Sequence, residues 1–338
     1  MDDRYLVTGG TGFVGSYILR LLVAEGKKVR ALRRKGSRMG LVEAISDSVE
    51  WVECDILDMP YLREAMSGCN KVFHCAAMVS YNAKDAAAMM EVNMGGTANV
   101  VNTALDLGVD KLLHLSSIAA LGKPKEGAFL DENTKWERSK LNTNYGISKF
   151  LAEQEVWRAA AEGLNVAIVN PSIIVGSGYW EEGSCALFSK VWHGLKYYPL
   201  GTTGFVDVRD VARAALLLMN SEVSNKRYVL NAANLTYKDL FNNIARHFGK
   251  TPPSVKVTPF LRETIWRLGW LGTFLGQEPI ATKETARQSS QTFYYGGKKF
   301  CEAFKFDYRP LECSIEDTCR SFVASLQSKH HSYATLPL

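Results

Sequence analysis

The chain has 338 residues, 46% of them hydrophobic and 22% charged, and carries a net charge of +5. That length allows one large α/β domain or a domain plus a smaller lobe, with composition ordinary for a globular enzyme. Lys and Arg are scattered rather than clustered, which argues against a nucleic-acid surface. The cysteines number seven and include no Cys-x-x-Cys pair, so neither a disulfide framework nor a zinc site is suggested.

A reducing cytoplasm and no metal are the expectation. The first strand begins within a few residues of Met1, which leaves no room for a secretory leader. No uncharged apolar run reaches the roughly 18 residues that a membrane span requires.

Tyr5 to Gly15 reads as a short buried strand, a glycine turn and the first turn of a helix. Gly9 permits the tight turn, Gly12 lets the backbone approach a pyrophosphate, and Gly15 brings helix and strand together. Thr11, Gly12, Phe13, Val14 and Gly15 open the helix, where free N–H groups favour a dinucleotide's negative charge. Ser16 to Ala24 continues it with apolar residues three and four apart.

Lys28 to Leu32 is the second strand, followed by Arg33 and Arg34 where NAD-binding folds often place a carboxylate. Guanidinium groups there pair with a 2′-phosphate, so NADP is preferred over NAD. Val49 to Cys54 is the third strand, and Asp55-Ile56 at its end can meet the adenine. Pro60 to Met66 is a crossover helix. Lys71 to Ala77 is the fourth strand, and its small Ala76 and Ala77 let a cofactor pass. His74 reads as a packed structural residue, and Cys54 and Cys75 as small apolar groups.

Asp85 to Leu107 is a long helix in which Asn93 requires a hydrogen-bonding reason. Lys111 to Ser117 is the fifth strand, with hydroxyls of Ser116 and Ser117 at the carboxyl edge where α/β folds bind ligands. Tyr145 and Lys149 then share one face of a helix, one turn apart. A phenol titrates near pH 10 unperturbed, and a neighbouring ammonium together with a cationic nicotinamide ring would lower that value. Such a Tyr can exchange a proton with a carbonyl or alcohol oxygen.

Asn165 to Asn170 is the sixth strand, running into Pro171 to Gly176. Ser177 to Pro199 breaks the helix–strand rhythm, as a substrate-facing excursion does. Residues 204–212 form a strand feeding a helix capped by Asp210, and Thr236 caps the helix Tyr237 to Phe248. The aromatic stretch 258–276 reads first as a lid or a cover over the protein's own core, the alternatives being a subunit contact and an interfacial membrane helix. Residues 327–338 are polar and frayed.

With the three glycines, Asp55-Ile56, Ala76-Ala77, Asn93, Ser116-Ser117 and Tyr145-x-x-x-Lys149 in order, the chain resembles the extended short-chain dehydrogenase/reductases. These are also called the NAD-dependent epimerase/dehydratase family, and the match covers about Tyr5 to Ala215. The resemblance implies an α/β fold with a doubly wound parallel Rossmann sheet of seven strands and a smaller C-terminal substrate lobe. Residues 1–176 would bind the dinucleotide and 177–326 mainly the substrate, with 204–235 returning to the main sheet.

By the same resemblance Tyr145 is the acid/base, and Lys149 binds the nicotinamide ribose and tunes it. Ser117 orients the substrate oxygen, Asn93 holds a structural and proton-relay position, and Pro171 and Ile174 flank the carboxamide. A homodimer through the helices of Asn93 and Tyr145 is implied. Ile118-Ala119 replaces the Asp-Glu pair of sugar-nucleotide 4,6-dehydratases, which removes that chemistry. The Asn170–Gly176 stretch and Arg33-Arg34 look more like the dihydroflavonol-reductase and 3β-hydroxysteroid-dehydrogenase-like branch. The expected activity is ketone–alcohol interconversion on a small, possibly apolar molecule. The alternatives are a nucleotide-sugar epimerase that retains its cofactor and a non-catalytic NADP sensor.

Overall fold

The structure is a computed structural model that describes residues 3–258, 261, 283–327 and 335–338. Seven parallel strands form the main sheet. They are β1 (Arg4–Thr8), β2 (Lys28–Arg33), β3 (Glu50–Glu53), β4 (Lys71–His74) and β5 (Lys111–Leu115). A short β6 (Phe129–Leu130) lies outside it, and β7 (Val166–Pro171) rejoins it. The edge strand β11 (Lys226–Leu230) pairs with β7 over Lys226–Leu230. The order is β11-β7-β5-β4-β1-β2-β3, so strand order reverses between β1 and β4. A crevice opens beyond the carboxyl ends of the strands at such a reversal. Strands covered on both faces read as continuous apolar runs: Leu6 and Val7 of β1 and Val72 and Phe73 of β4 are fully buried.

On one face lie α1 (Phe13–Ala24) and α7 (Val208–Met219). On the other lie α2 (Met59–Met66), the Asn93 helix and α5 (Asn144–Ala161). The continuous helix expected over 85–107 comes in three pieces. They are α3 (Ala86–Met90), a single π turn (Glu91–Gly95) and α4 (Gly96–Asp106). Widened turns of this kind concentrate at functional sites, and this one holds Asn93.

A second lobe carries a three-stranded sheet of β8 (Ile173–Val175), β10 (Thr202–Asp207) and β12 (Ala233–Thr236). Beside it are α6 (Cys185–Trp192), β9 (Tyr197–Tyr198), α8 (Tyr237–Phe248) and the helix Leu311–Gln327. Within 204–235, only Lys226–Leu230 pairs with the main sheet, because β10 belongs to the smaller one. The residue capping α7 is Asp207, not Asp210. Asp207 is extended and accepts from the Arg209 N–H, whereas Asp210 already sits in the first turn. Thr236 caps α8 as expected.

The aromatic stretch 258–276 lies, apart from Thr258 and Leu261, outside the described residues. Of the terminal segment expected to fray, residues 335–338 are described. There Leu336 is 2% exposed, donates its N–H to the Tyr17 hydroxyl at 3.0 Å and accepts from Arg20 at 2.9 Å. Those bonds fasten it to α1, contrary to a frayed end. No described helix is long and apolar enough to cross a membrane, and the described residues hold no metal-binding cluster.

Candidate active site

The glycine corner fits a dinucleotide. Gly9 has φ +67°, and a Cβ there would come within 2.7 Å of the Ala76 nitrogen. A Cβ on Gly15 would stand 2.2 Å from the Gly9 carbonyl oxygen, so α1 packs hard onto the turn. A Cβ on Gly12 would meet only that oxygen, at 3.2 Å, and otherwise open space. The room lies where a pyrophosphate must approach the first N–H groups of α1. Thr11 is half-buried at the turn. Val14 is buried in the core, and Phe13 packs against Gly176 and Gly178 of the second lobe. The Phe13 and Val14 side chains therefore brace the corner.

Behind the corner, hydrogen bonds fix every proton. The Thr97 hydroxyl donates to the Asn93 carbonyl at 2.6 Å, so towards His74 Nε2, 2.9 Å away, its oxygen accepts. His74 thus carries its proton on Nε2, and Nδ1 accepts from the Thr8 hydroxyl at 2.8 Å. Thr8 Oγ1 in turn accepts from the Cys75 and Ala76 N–H groups, both at 3.1 Å. Burial, reinforced by the Lys149 charge, pushes His74 down to about 3. It is a neutral strut, not a base. Thr8 was not singled out in the sequence, because its partners sit on other strands.

Asn93 finds its expected bonds. It accepts from the Met78 N–H at 2.7 Å and donates to the Met78 carbonyl and the Ser148 hydroxyl, both at 2.9 Å. Ser148 donates to the Tyr145 carbonyl at 2.8 Å, so the π turn is clamped to the helix carrying Tyr145. Thr143 caps that helix by accepting from the Gly146 N–H at 2.9 Å.

Tyr145 and Ser117 lie near enough for the serine to act on the phenol. Burial raises the Tyr145 phenol above its ordinary value, and the Ser117 side chain opposes the rise. The sequence argument expected a lowered phenol. Burial accounts for the difference, and the Lys149 ammonium, donating to the Leu115 carbonyl at 2.8 Å, does not offset it. Lys149 is 2% exposed, and burial pushes it down to about 8 against the opposing pull of Glu153 and Cys75.

Ser116 turns away from the crevice and donates to Glu153, which also accepts from Asn170 and pairs with Arg227 at 3.4 Å. Glu153 lies four residues beyond Lys149 on the same helical face, a spacing legible in sequence but not singled out. Pro171 ends β7 in the main sheet, while Ile174 lies in β8 beside Val206 of β10. The chain crosses between sheets within those few residues.

Arg34, Lys35, Ser37, Glu53, Asp55, Asp58 and Tyr61 line a depression of about 650 Å³. Ile56 is buried against Gly96. Arg33 Nε is buried and makes no hydrogen bond among the described residues. On the substrate side Tyr81 packs edge-on to Tyr145, ring centroids 5.9 Å apart. Ala76 and Ala77 follow β4, with Ala77 exposed.

The profile described as the NAD dependent epimerase/dehydratase family matches residues 5–232. A putative dihydroflavonol 4-reductase of Synechocystis sp. is 30% identical over 332 residues, 95% of each chain. A cinnamoyl-CoA reductase 1 of Oryza sativa is 33% identical over 265 residues, 74% of this chain and 77% of that one. The crystal structure of gox2253 has a TM-score of 0.81 at 29% identity, covering 98% of this chain and 99% of its own. The chain therefore belongs to the NAD-dependent epimerase/dehydratase family of extended short-chain dehydrogenase/reductases, and is a nicotinamide-dependent enzyme.

Proposed function

We propose that the protein reduces a ketone to a secondary alcohol with NADP(H) preferred, residues 1–176 binding the cofactor and 177–326 mainly the substrate. The carrying observation is the buried Tyr145 phenol with Ser117 acting on it, on a helix locked by Thr143 and Asn93. The nicotinamide, when bound, supplies the hydride. Ser117 orients the substrate oxygen, and Tyr145 gives it a proton. Burial keeps that phenol in its acid form at neutral pH, the form that reduction consumes. Lys149 holds a positive charge beneath the site for the nicotinamide ribose. Pro171 and Ile174 flank the carboxamide, and Asp55 faces the adenine.

Tyr145→Phe tests the assignment. Turnover, followed by NADPH absorbance, should fall by about 100-fold or more, with dinucleotide affinity within about twofold of wild type. Retained turnover removes Tyr145 from its role. A reaction without net cofactor consumption would mark an epimerase, and cofactor binding with no reaction on any carbonyl a sensor.

The NADP preference is supported by Arg34 and Lys35 on the depression and by the unpartnered Arg33 Nε. Arg33→Ala with Arg34→Ala should weaken NADP by about tenfold or more and NAD hardly at all, a guanidinium–phosphate pair being charge-assisted. Equal losses for the two dinucleotides overturn it. Our reading also includes a homodimer through the helices that hold Asn93 and Tyr145, checked by sedimentation mass. The free cysteines suit a reducing compartment such as the cytoplasm.

A further inference from the structure

The backbone that carries Tyr145 is fixed on both sides of it. Thr143 caps the helix, and Ser148 donates to the Tyr145 carbonyl at 2.8 Å. Those bonds settle where the Cα stands, but the phenol still turns about two side-chain torsions, each with more than one well. A proton donor must come within about 3 Å of the oxygen that it serves, so a wrong rotamer disables it as surely as a missing hydroxyl.

The ring that meets the phenol is Tyr81. The two centroids lie 5.9 Å apart at an interplanar angle of 64°, the edge-on geometry that the aromatic quadrupole favours. Tyr81 belongs to an irregular segment, Met78 to Asn82, that runs from β4 to a 3-10 turn, Ala83–Asp85. Side chains pin that segment at both ends. At one, Asn93 takes both backbone groups of Met78, accepting from its N–H at 2.7 Å and donating to its carbonyl at 2.9 Å. At the other, the Ser80 hydroxyl donates to Asp85 at 2.6 Å and accepts from the Asn82 N–H at 3.1 Å. The Asn82 side chain in turn accepts from the Lys84 N–H at 3.1 Å. Ordering an irregular segment costs conformational entropy, and the ordering here sets one aromatic ring against the acid/base. The Asn93 amide that holds Met78 also donates to Ser148. One residue therefore ties the segment bearing Tyr81 to the helix bearing Tyr145.

We propose that Tyr81 is a positioning residue: its ring, not its hydroxyl, confines the Tyr145 phenol to the rotamer that reaches the substrate oxygen. This deepens, and rests on, the ketone-reductase reading.

The full chain, labelled with 3-fluorotyrosine and loaded with NADP, is read by fluorine NMR, and the resonance that Tyr145→Phe removes is that of Tyr145. It should be one narrow line in wild type and in Tyr81→Phe. In Tyr81→Leu and Tyr81→Met, which lose the ring, it should broaden or split. Turnover is followed by NADPH absorbance with a panel of alkyl and aryl methyl ketones. Tyr81→Leu and Tyr81→Met should lower kcat by about tenfold, the order that an edge-to-face ring pair supports, with KM and dinucleotide affinity within about twofold. Tyr81→Phe should keep kcat. On a Tyr145→Phe background Tyr81→Leu should cost nothing more, because the group that it positions is already gone. A single narrow Tyr145 line in correctly melting Tyr81→Leu overturns the assignment, as does a KM that rises there while kcat holds. Loss of kcat in Tyr81→Phe overturns it too, by giving the role to the hydroxyl. A line that broadens in Tyr81→Leu, with no ketone reduced by wild type, would instead sink the reductase reading and leave the positioning of the phenol standing.

Discussion

His74 and His114 lie ring against ring beneath the catalytic edge, centroids 5.1 Å apart, and both are fully buried. Neither ring nitrogen of His114 has a hydrogen-bond partner among the described residues. Burial holds His74 near 3 and drives His114 well below its ordinary value. An unfolded histidine takes its proton near pH 6.5, which the folded chain refuses. The stability linked to the neutral rings is thus complete above about pH 6.5 and is lost as pH falls towards the folded values. Each contributes a slope of about 1.4 kcal/mol per pH unit in that window. His114→Leu should remove one such slope from urea-unfolding free energies compared between about pH 6 and about pH 5. An unchanged slope would show that His114 is charged in the fold.

The same scale shows what sequence could disclose. Tyr145 and Lys149 are legible because helix geometry fixes two residues four apart, whatever surrounds them. Thr8 and Tyr81 were not singled out, because each acquires its meaning from a residue on a distant element. The expected acidification of Tyr145 failed for a related reason: burial, which raises the phenol, is a property of the folded interior.

Among the elements, α5 is the one whose placement decides activity. Thr143→Ala removes its cap and should cost about 1 kcal/mol in unfolding free energy, with kcat falling more than dinucleotide affinity. An intact kcat would mean that Glu284, accepting from the Asn144 N–H at 2.7 Å, holds the first turn without it. The two glycines of the α1 turn should separate cleanly. Gly15→Ala forces a carbon to 2.2 Å from the Gly9 carbonyl oxygen and should lower the melting temperature, whereas Gly12→Ala meets that oxygen only at 3.2 Å and should be the milder change. The second variant should melt near wild type yet lose dinucleotide affinity, and unchanged affinity would place the pyrophosphate elsewhere.

Strand and helix positions were readable because their apolar periods are local. The capping of α7 was not, since Asp207 and Asp210 both suit a cap and only backbone geometry chooses. At Asp207 the backbone is extended with φ −72° and ψ 139°, and its carboxylate also pairs with the buried Arg209 at 2.7 Å. The π turn at Asn93 was legible as an anomaly of propensity but not as a change of helical pitch.

For the whole molecule, the seven-stranded main sheet followed from the family resemblance, whereas the order of its strands, and so the place of the reversal, is a property of the fold. The docking of Leu336 onto α1 was not legible, because a polar tail carries no periodic signal. Leu336→Ala should destabilise the fold by about 2 kcal/mol or more, as loss of a buried leucine does, read from urea denaturation. A neutral result would show that Tyr17 and Arg20 alone retain the segment.

The edge strand β11 reaches the main sheet from beyond the second lobe's first strands. Recombination between relatives at the apparent lobe boundary would therefore transplant a sheet with a missing margin. A chimera that is to inherit one parent's cofactor preference and the other's substrate range must be spliced twice, carrying Lys226–Leu230 along with the amino-terminal parent.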